Sequence, residues 1–269
     1  MKRSSRSKSI VVESIVYPTK GERRETRRNK HPINLHNAIV SDDLSSIILA
    51  NKRLLPTIAK SVRQEELLEQ LQQYRVIIAT GPAGGGKTYI PVADALDRLA
   101  AGTINTLIWL RPSIEAGVSL GMLPGKLEDK IDPFFIPIRQ AIYKKLGPSF
   151  GKRWLAWARQ TEKVQFLSTQ HLRGMTLENA FVQLDEAQNC TYKELKMVLT
   201  RMGEGSQFVF SGDPEQDDLD SGYNRAKTKT GWPEFVSRLA VLKDLVGITR
   251  FVNADSVRDP LQAKLLEYI

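Results

Sequence analysis

The sequence is short of the residues from which several kinds of functional site are built. It contains one cysteine, Cys190, and three scattered histidines, His31, His36 and His171. A single cysteine excludes an internal disulfide framework and fits a reducing compartment. The spacing of these four residues matches no zinc-ligand pattern. The sequence therefore predicts neither a disulfide-stabilised secreted domain nor a zinc protein.

Long apolar segments are also missing. No run approaches the ~20 residues that cross a bilayer, and the N-terminus lacks the apolar core of a secretory signal. These absences predict a cytoplasmic protein, in a bacterial cell or in the host of a phage, with no membrane partner. The formal net charge is +9, from 39 Lys and Arg against 30 Asp and Glu. Such an excess favours polyanionic partners such as nucleic acid.

Three regions differ in composition. Residues 1–40 are rich in lysine, arginine and serine and are predicted to form a basic, disordered tail, either simply solvated or in contact with phosphate backbones. Residues 41–74 are predicted to be a helical lead-in, with Ser41 as an N-cap and a break at Pro56. The remaining residues, 75–269, are predicted to form one P-loop ATPase domain.

The most informative stretch is GPAGGGKT at residues 81–88. It fits the pattern G-x-x-x-x-G-K-[ST], in which a glycine-rich turn directs backbone N–H groups at phosphate oxygens. Lys87 can then reach the β- and γ-phosphates, and the Thr88 hydroxyl can ligate Mg²⁺. An apolar strand precedes the motif and an amphipathic helix follows it, as the motif requires. The predicted phosphate-binding residues are Gly81, Pro82, Ala83, Gly84, Gly85, Gly86, Lys87, Thr88 and Tyr89.

Short apolar strands alternate with helices from residue 75 onward. Alternation of this kind predicts an α/β fold, with a mainly parallel sheet covered by helices on both faces and ligands at the carboxyl ends of the strands. The predicted strands are Arg75–Thr80, Thr106–Leu110, Val164–Leu167, Ala180–Leu184, Gln207–Ser211 and Gly247–Val252. The predicted helices are Ser61–Tyr74, Thr88–Ala101, Tyr192–Arg201 and a terminal helix from about Pro260, with a long mixed region before Gln160.

An acidic pair, Asp185-Glu186, ends the fourth predicted strand. Carboxylates at the tip of a buried strand are unfavourable unless they hold a cation or take part in chemistry. Asp185 suits the coordination sphere of Mg²⁺, and Glu186 is placed to polarise the water that attacks the γ-phosphate. The alternative is a pair of carboxylates that cap the following turn.

Two further polar residues follow predicted strands. Gln216, in SGDPEQDDL, can hydrogen-bond a γ-phosphate or the attacking water, although an ordinary Asp-Pro turn would also contain such residues. Arg111, followed by the rigid Pro112, is predicted to hold a nucleic-acid phosphate. The alternative for Arg111 is an ion pair with a neighbouring carboxylate such as Glu115.

Together these blocks resemble the PhoH family of P-loop ATPases, relatives of the ATPase core of superfamily-one helicases. The resemblance covers about residue 64 to the C-terminus. It implies a RecA-like fold, ATP hydrolysis with Mg²⁺, and a link to RNA or DNA metabolism; Gln64 matches a glutamine that reads adenine. The matching runs are GPAGGGKTYI, LRPSIEAGVSLGMLPGKLEDKIDPF, LRGMTLENAFVQLDEAQN, LKMVLTRMGEGSQFVFSGDPEQDDL, SGY and VRDP.

The chain departs from the family pattern at three positions. Gly85 stands where a threonine is usual, a change that the phosphate loop is expected to tolerate because glycine adopts any turn geometry. Met175 replaces an arginine, whereas Arg173 is retained, and Asp259 replaces a histidine after Arg258. These departures would suit a bacteriophage-encoded member.

The resemblance also raises the question of where an arginine finger would come from. Superfamily-one helicases close the nucleotide between two domains, and the second domain supplies an arginine worth roughly 10³–10⁵ in rate. This chain has room for one such domain. We therefore expect a homo-oligomeric ring, with six subunits as the favoured size, in which Arg173 or Arg258 reaches a neighbouring site.

Three functions remain open at this point. The first is an ATPase coupled to single-stranded RNA or DNA, in the manner of a helicase or remodelling enzyme. The second is a nucleotide-gated binding or scaffold protein with slow turnover. The third, a small-molecule kinase, has less support because the Asp185-Glu186 pair suits water activation and no arginine-rich lid is evident.

Overall fold

The computed structural model describes residues 54, 55, 57–112, 132–219 and 229–257. The predicted tail, residues 41–53 and 56 of the predicted lead-in, and the predicted terminal helix lie outside the described residues. The centre of the described part is a six-stranded parallel sheet, formed by β1 (Val76–Thr80), β2 (Thr106–Arg111), β3 (Val164–Ser168), β4 (Ala180–Leu184), β5 (Gln207–Gly212) and β6 (Val246–Arg250). The strand order is β3-β2-β4-β5-β1-β6.

Helices cover both faces of the sheet, as predicted. On one face, Ile77 and Ala79 of β1 belong to a core that includes residues of the first four described helices, whereas Ile78 belongs to a second core with the last two. This alternation is the period of two expected of a strand buried on both faces. The helices are α1 (Val62–Gln73), α2 (Tyr89–Ala100), α3 (Ile136–Leu146), α4 (Pro148–Gln160), α5 (Tyr192–Leu199) and α6 (Trp232–Leu239).

The strand order confirms the predicted fold class. One strand, β5, lies between β1, which precedes the glycine-rich loop, and β4, which precedes the acidic pair. This is the arrangement of RecA-like P-loop ATPases, and it brings both motifs to the same edge of the sheet because parallel strands end together. Within the described helices, none combines the length and the apolar content that a membrane crossing demands.

The predicted strands agree with the structure to within two residues at each end, and so do the predicted helices Ser61–Tyr74, Thr88–Ala101 and Tyr192–Arg201. The helices α3, α4 and α6 were not predicted. The mixed region before residue 160 contains α3 and α4, which are separated by Gly147 at φ 85°. Pro148 occupies the first turn of α4, where its missing N–H needs no partner. In the predicted lead-in, the described residues 54, 55 and 57–60 are not helical.

A buried lysine fastens the segment before α1 to the domain. The Lys145 side chain is 1% exposed, and its Nζ donates to Thr57 Oγ1 at 2.6 Å and to Asp97 Oδ2 at 2.7 Å. The backbone N–H of Leu55 donates to the Lys145 carbonyl at 3.0 Å. Lys145 therefore connects α2, α3 and the chain leading into α1.

We expect Lys145→Met to lower the free energy of unfolding by about 1–3 kcal/mol, because it removes a buried, charge-assisted contact at nearly constant volume. Urea denaturation measures the change. Lys144→Met is the matched control, since Lys144 is exposed and loses only a cation–π contact with Tyr89 at 4.7 Å; its change should stay below about 1 kcal/mol. Equal losses in the two variants would contradict this assignment.

Candidate active site

The glycine-rich loop between β1 and α2 has a backbone that favours glycine at three of its positions. Gly81 has φ 128°, Gly84 has φ 93° and Gly86 has φ 99°, all in the left-handed region. A Cβ on Gly81 would lie 2.2 Å from the Phe251 carbonyl oxygen, and one on Gly86 would lie 2.9 Å from Gln64 Nε2. The loop therefore packs closely against Phe251, which directly follows β6, and against Gln64 of α1.

The loop has the donors that a phosphate group requires. The backbone N–H groups of Ala83, Gly84, Gly85 and Gly86 donate no hydrogen bond to another described residue. Successive amide donors of this kind at the start of a helix form an anion-binding cradle. The ammonium of Lys87 donates to the carbonyl oxygens of Gly81 and Pro82, the latter at 2.6 Å. These groups fit the phosphates of a nucleotide.

Gln64, predicted to read adenine, lies behind the loop. Its side chain is 3% exposed; Nε2 donates to the Gly85 carbonyl at 2.8 Å, and Oε1 accepts from the Lys60 backbone N–H at 2.9 Å. The structure thus gives Gln64 a role in holding α1 against the loop. Adenine recognition by this residue stays a prediction.

The Asp185 carboxylate joins three strands at the edge of the sheet. Its Oδ1 accepts from Thr88 Oγ1 at 3.0 Å and from Ser211 Oγ at 2.9 Å. Its Oδ2 pairs with Arg111 Nη2 at 3.1 Å. An adjacent hydroxyl and carboxylate are the hard oxygen ligands that Mg²⁺ prefers. Thr88 and Asp185 therefore fit the predicted metal site.

Glu186 is held in an unusual backbone conformation. With φ 56° and ψ 41° it lies in the left-handed region, which is unfavourable for a side chain of this size and is found most often at functional sites. Its carboxylate forms no capping hydrogen bond to the following turn, so the capping alternative does not hold for this residue. The Glu186 side chain is 37% exposed, so solvent reaches its carboxylate.

A buried glutamine that the sequence analysis missed connects Glu186 to the tip of β5. The Nε2 of Gln188 donates to Glu186 Oε2 at 2.7 Å and to the Gln216 carbonyl at 3.1 Å, while its Oε1 accepts from the Asp213 N–H at 3.0 Å. Gln188 is 1% exposed. The run DEAQN places Gln188 close to the acidic pair, but its hydrogen-bond partners Asp213 and Gln216 could be inferred only from the pairing of β4 with β5.

Arg111 occupies a different environment from the one predicted. Its guanidinium pairs with Asp185 at 3.1 Å and approaches Glu186 Oε1 to 3.5 Å, and the side chain is 15% exposed. The carboxylate alternative is thus what the structure contains, although with these two residues rather than with Glu115, which lies outside the described residues. The proposed contact between Arg111 and nucleic acid stays a prediction.

The other predicted site residues lie at the margins of this cluster. The Gln216 side chain is exposed. Tyr89 is the first residue of α2, and the Lys144 Nζ lies 4.7 Å from the centroid of its ring. Burial is the main cause that raises the pKa of the Tyr89 phenol, and the negative charge of the nearby Asp97 raises it further. Arg173 is exposed and follows β3, which is separated from β1 by three strands. Arg258 lies outside the described residues.

Cys190 has no features of a nucleophile. Its side chain is fully buried directly after the turn Ala187–Asn189. Burial raises the pKa of the Cys190 thiol well above its usual range, so the reactive thiolate is suppressed.

Phe251 covers the glycine-rich loop from the β6 side. Its N–H donates to the Thr80 carbonyl at 2.8 Å, and the N–H of Val257 donates to the Gly84 carbonyl at 3.2 Å. A Cβ on Gly85 would lie 2.6 Å from Phe251 Cδ1. Gly85 itself is not in the left-handed region. Space, rather than turn geometry, is therefore what requires glycine at this position.

Residues 57–269 match the family model described as PhoH-like protein. The chain is 36% identical over 214 residues to the PhoH-like protein of Bacillus subtilis (strain 168), covering 77% of this chain and 62% of that protein. It is 38% identical over 215 residues to the PhoH-like protein of Synechocystis sp., covering 78% and 61%. The chain thus spans about three-fifths of the length of these curated relatives.

Among solved structures, the chain is similar to the large terminase from a thermophilic bacteriophage in complex with ADP. The identity is 14% and the TM-score is 0.42, with 77% of this chain and 49% of the terminase covered. A likeness this remote has no bearing on function.

We expect Gly85→Thr to lower the free energy of unfolding by about 1–3 kcal/mol, because the new side chain overlaps the Phe251 ring. In a double-mutant cycle with Phe251→Leu, the smaller side chain should make room, so that the combined loss is at least about 1 kcal/mol less than the sum of the single losses. Denaturant unfolding of the four proteins provides the measurement. Strictly additive losses would show that the ring does not select glycine.

Proposed function

Given that the chain belongs to the PhoH-like protein family, we propose that it is a Mg²⁺-dependent ATPase coupled to single-stranded RNA or DNA. The observation that carries the ATPase assignment is the 3.0 Å contact between Thr88 Oγ1 and Asp185 Oδ1. These two residues come from separate motifs 97 positions apart, and each has the oxygen that a Mg²⁺ site between them would use.

Each side chain of the site has a distinct part in the proposed reaction. The loop amides and Lys87 would bind the β- and γ-phosphates, and Thr88 with Asp185 would hold Mg²⁺. When bound, Mg²⁺ neutralises charge on the phosphate oxygens. Glu186 would accept a hydrogen bond from the attacking water and polarise it toward the γ-phosphorus. Gln188 would orient Glu186 through the contact to Oε2.

The proposed nucleic-acid partner is supported by charge. The whole chain carries a net charge of +9, which favours a polyanionic partner.

A hydrogen-bonded connection also supports coupling to a partner. The backbone oxygen of Gln216, in the exposed stretch 214–216, accepts from the same Gln188 that contacts Glu186. A change at this loop can thus reach the proposed hydrolytic carboxylate through one side chain. A nucleotide-gated scaffold with slow turnover is the competing function, and it predicts no response to nucleic acid.

A neighbouring subunit is the proposed source of an arginine finger. Arg173 is exposed and three strands away from the glycine-rich loop of its own chain, so this arginine would act on another copy in a head-to-tail ring. Arg258 is the other candidate. A homo-oligomer, with a hexamer as the favoured size, stays a proposal.

The ATPase proposal is tested by the steady-state hydrolysis rate with and without single-stranded RNA and DNA at several salt concentrations. We expect one polymer to stimulate turnover, and the stimulation to decline with salt because phosphate contacts release counterions. Lys87→Ala should weaken nucleotide binding, whereas Glu186→Gln should preserve binding and reduce the rate by about 10²-fold or more. Hydrolysis that persists in both variants would contradict the site, and a rate indifferent to every polymer would favour the scaffold.

Gln188→Leu should reduce kcat by about 10- to 100-fold while the Kd for ATP changes less than about threefold, because the glutamine positions Glu186 without touching the phosphates. The matched control is Asn189→Ala. The Asn189 side chain makes paired hydrogen bonds of 3.0 and 2.9 Å with Asp218 in the same loop and none with the Glu186 carboxylate. The hydrogen bond from the Asn189 backbone N–H to the Glu186 carbonyl, at 3.0 Å, does not depend on the side chain. A comparable fall in kcat in both variants would mean that loop order matters, rather than the contact to Glu186.

A further inference from the structure

Two carboxylates at one strand tip require a counter-charge. Asp185 and Glu186 are adjacent, and their side chains are 7% and 37% exposed. Two negative charges at this separation and burial repel each other and lose hydration. Arg111 forms ion pairs with both of them. Its guanidinium therefore supplies, from within the chain, a positive charge at the place where the proposed metal would supply one.

The contacts of Asp185 show how the two cations would compete. Oδ1 is used by the hydroxyls of Thr88 and Ser211, whereas Oδ2 is used by Arg111. For Mg²⁺ to be held between Thr88 and Asp185, the oxygens of both residues must turn toward the metal. The Arg111 guanidinium has the same sign of charge as Mg²⁺ and draws on the same carboxylate, so occupation by one disfavours the other.

Arg111 is also incompletely satisfied in its present position. Its Nε is buried and has no hydrogen-bond partner among the residues that the structure describes, which is unfavourable for a charged donor. A guanidinium with one orphaned donor is readily displaced toward a group with more acceptor oxygens, such as a phosphate. The unpaired Nε and the two ion pairs are separate observations: the first leaves Arg111 with a donor for a further acceptor, and the second places its charge on the two carboxylates of the proposed site.

We propose that Arg111 is an exchangeable counter-ion, which neutralises Asp185 and Glu186 when no nucleotide is bound and is displaced when Mg²⁺ binds with ATP. While Arg111 is in place, Glu186 is held by a cation on one side and by Gln188 on the other. Displacement of Arg111 frees the Glu186 carboxylate to accept a hydrogen bond from the attacking water. Arg111 is thus a positioning residue whose departure is coupled to metal binding; this inference rests on the proposed Mg²⁺-dependent ATPase site.

The test compares wild type with Arg111→Gln, which removes the charge. Binding of a fluorescent, non-hydrolysable ATP analogue is titrated with Mg²⁺. The ion pairs no longer have to be broken, so Arg111→Gln should lower the Mg²⁺ concentration for half-maximal binding by about fivefold to thirtyfold. Arg238→Gln is the matched control, because Arg238 forms an exposed ion pair with Glu234 on α6; its midpoint should equal that of wild type.

A second readout needs no nucleotide. In EDTA, Arg111→Gln should have a thermal midpoint roughly 2–8 °C below wild type, because the two carboxylates lose their counter-ion. Added Mg²⁺ alone should raise that midpoint more in the variant than in wild type. If wild type binds no nucleotide, the proposed ATPase function is wrong, and the response of the thermal midpoint to Mg²⁺ still decides the role of Arg111.

An unchanged or higher Mg²⁺ midpoint in Arg111→Gln, or an equal thermal response to Mg²⁺, would overturn the proposal. Should Arg111→Gln not fold, Arg111→Lys takes its place. A lysine ammonium cannot span both carboxylates, so its Mg²⁺ midpoint should fall by about twofold to fivefold. A midpoint equal to that of wild type would then overturn the proposal.

Discussion

The site depends on the placement of one carboxylate, Asp185, at the end of β4. Three neighbouring strands and the glycine-rich loop meet at this side chain, through Thr88, Arg111 and Ser211. A negatively charged side chain that is only 7% exposed is tolerated only when its oxygens are satisfied. Here they are satisfied by groups from three other segments, so the proposed metal ligand, the loop that would bind phosphate and the proposed counter-ion are held in one geometry.

The order of the strands explains why these groups meet. Because β5 lies between β1 and β4, Ser211 at its end can bridge the loop side and the acidic side of the site. Gln188 uses the same proximity to join Glu186 to the loop after β5. Glu186, whose carboxylate Gln188 contacts, has a left-handed backbone with φ 56°. A strained backbone of this kind recurs at active sites, which agrees with the proposed role of Glu186.

The sequence predicted the parts of this site that are local and left out the parts that depend on neighbouring strands. Lys87, Thr88 and Asp185 could be singled out as candidates because each lies in a motif whose spacing carries its own chemistry, and the structure places them at one edge of the sheet. The strands were predicted well because continuous apolar runs indicate burial on both faces. The partner of Arg111 and the role of Gln188 were not found, since both require knowing that β2 and β5 flank β4. The segment before residue 61 was predicted to be helical, but its described residues are not helical, and two of them, Leu55 and Thr57, are hydrogen-bonded to Lys145.

The most direct test of this account is a crystal structure of Glu186→Gln, a variant that should bind without hydrolysing, in complex with Mg²⁺ and ATP. The account predicts the phosphates on the loop amides and Lys87, the metal between Thr88 and Asp185, and the Arg111 guanidinium away from Asp185 Oδ2. A metal held elsewhere, or Arg111 still paired with Asp185 beside a bound metal, would contradict it.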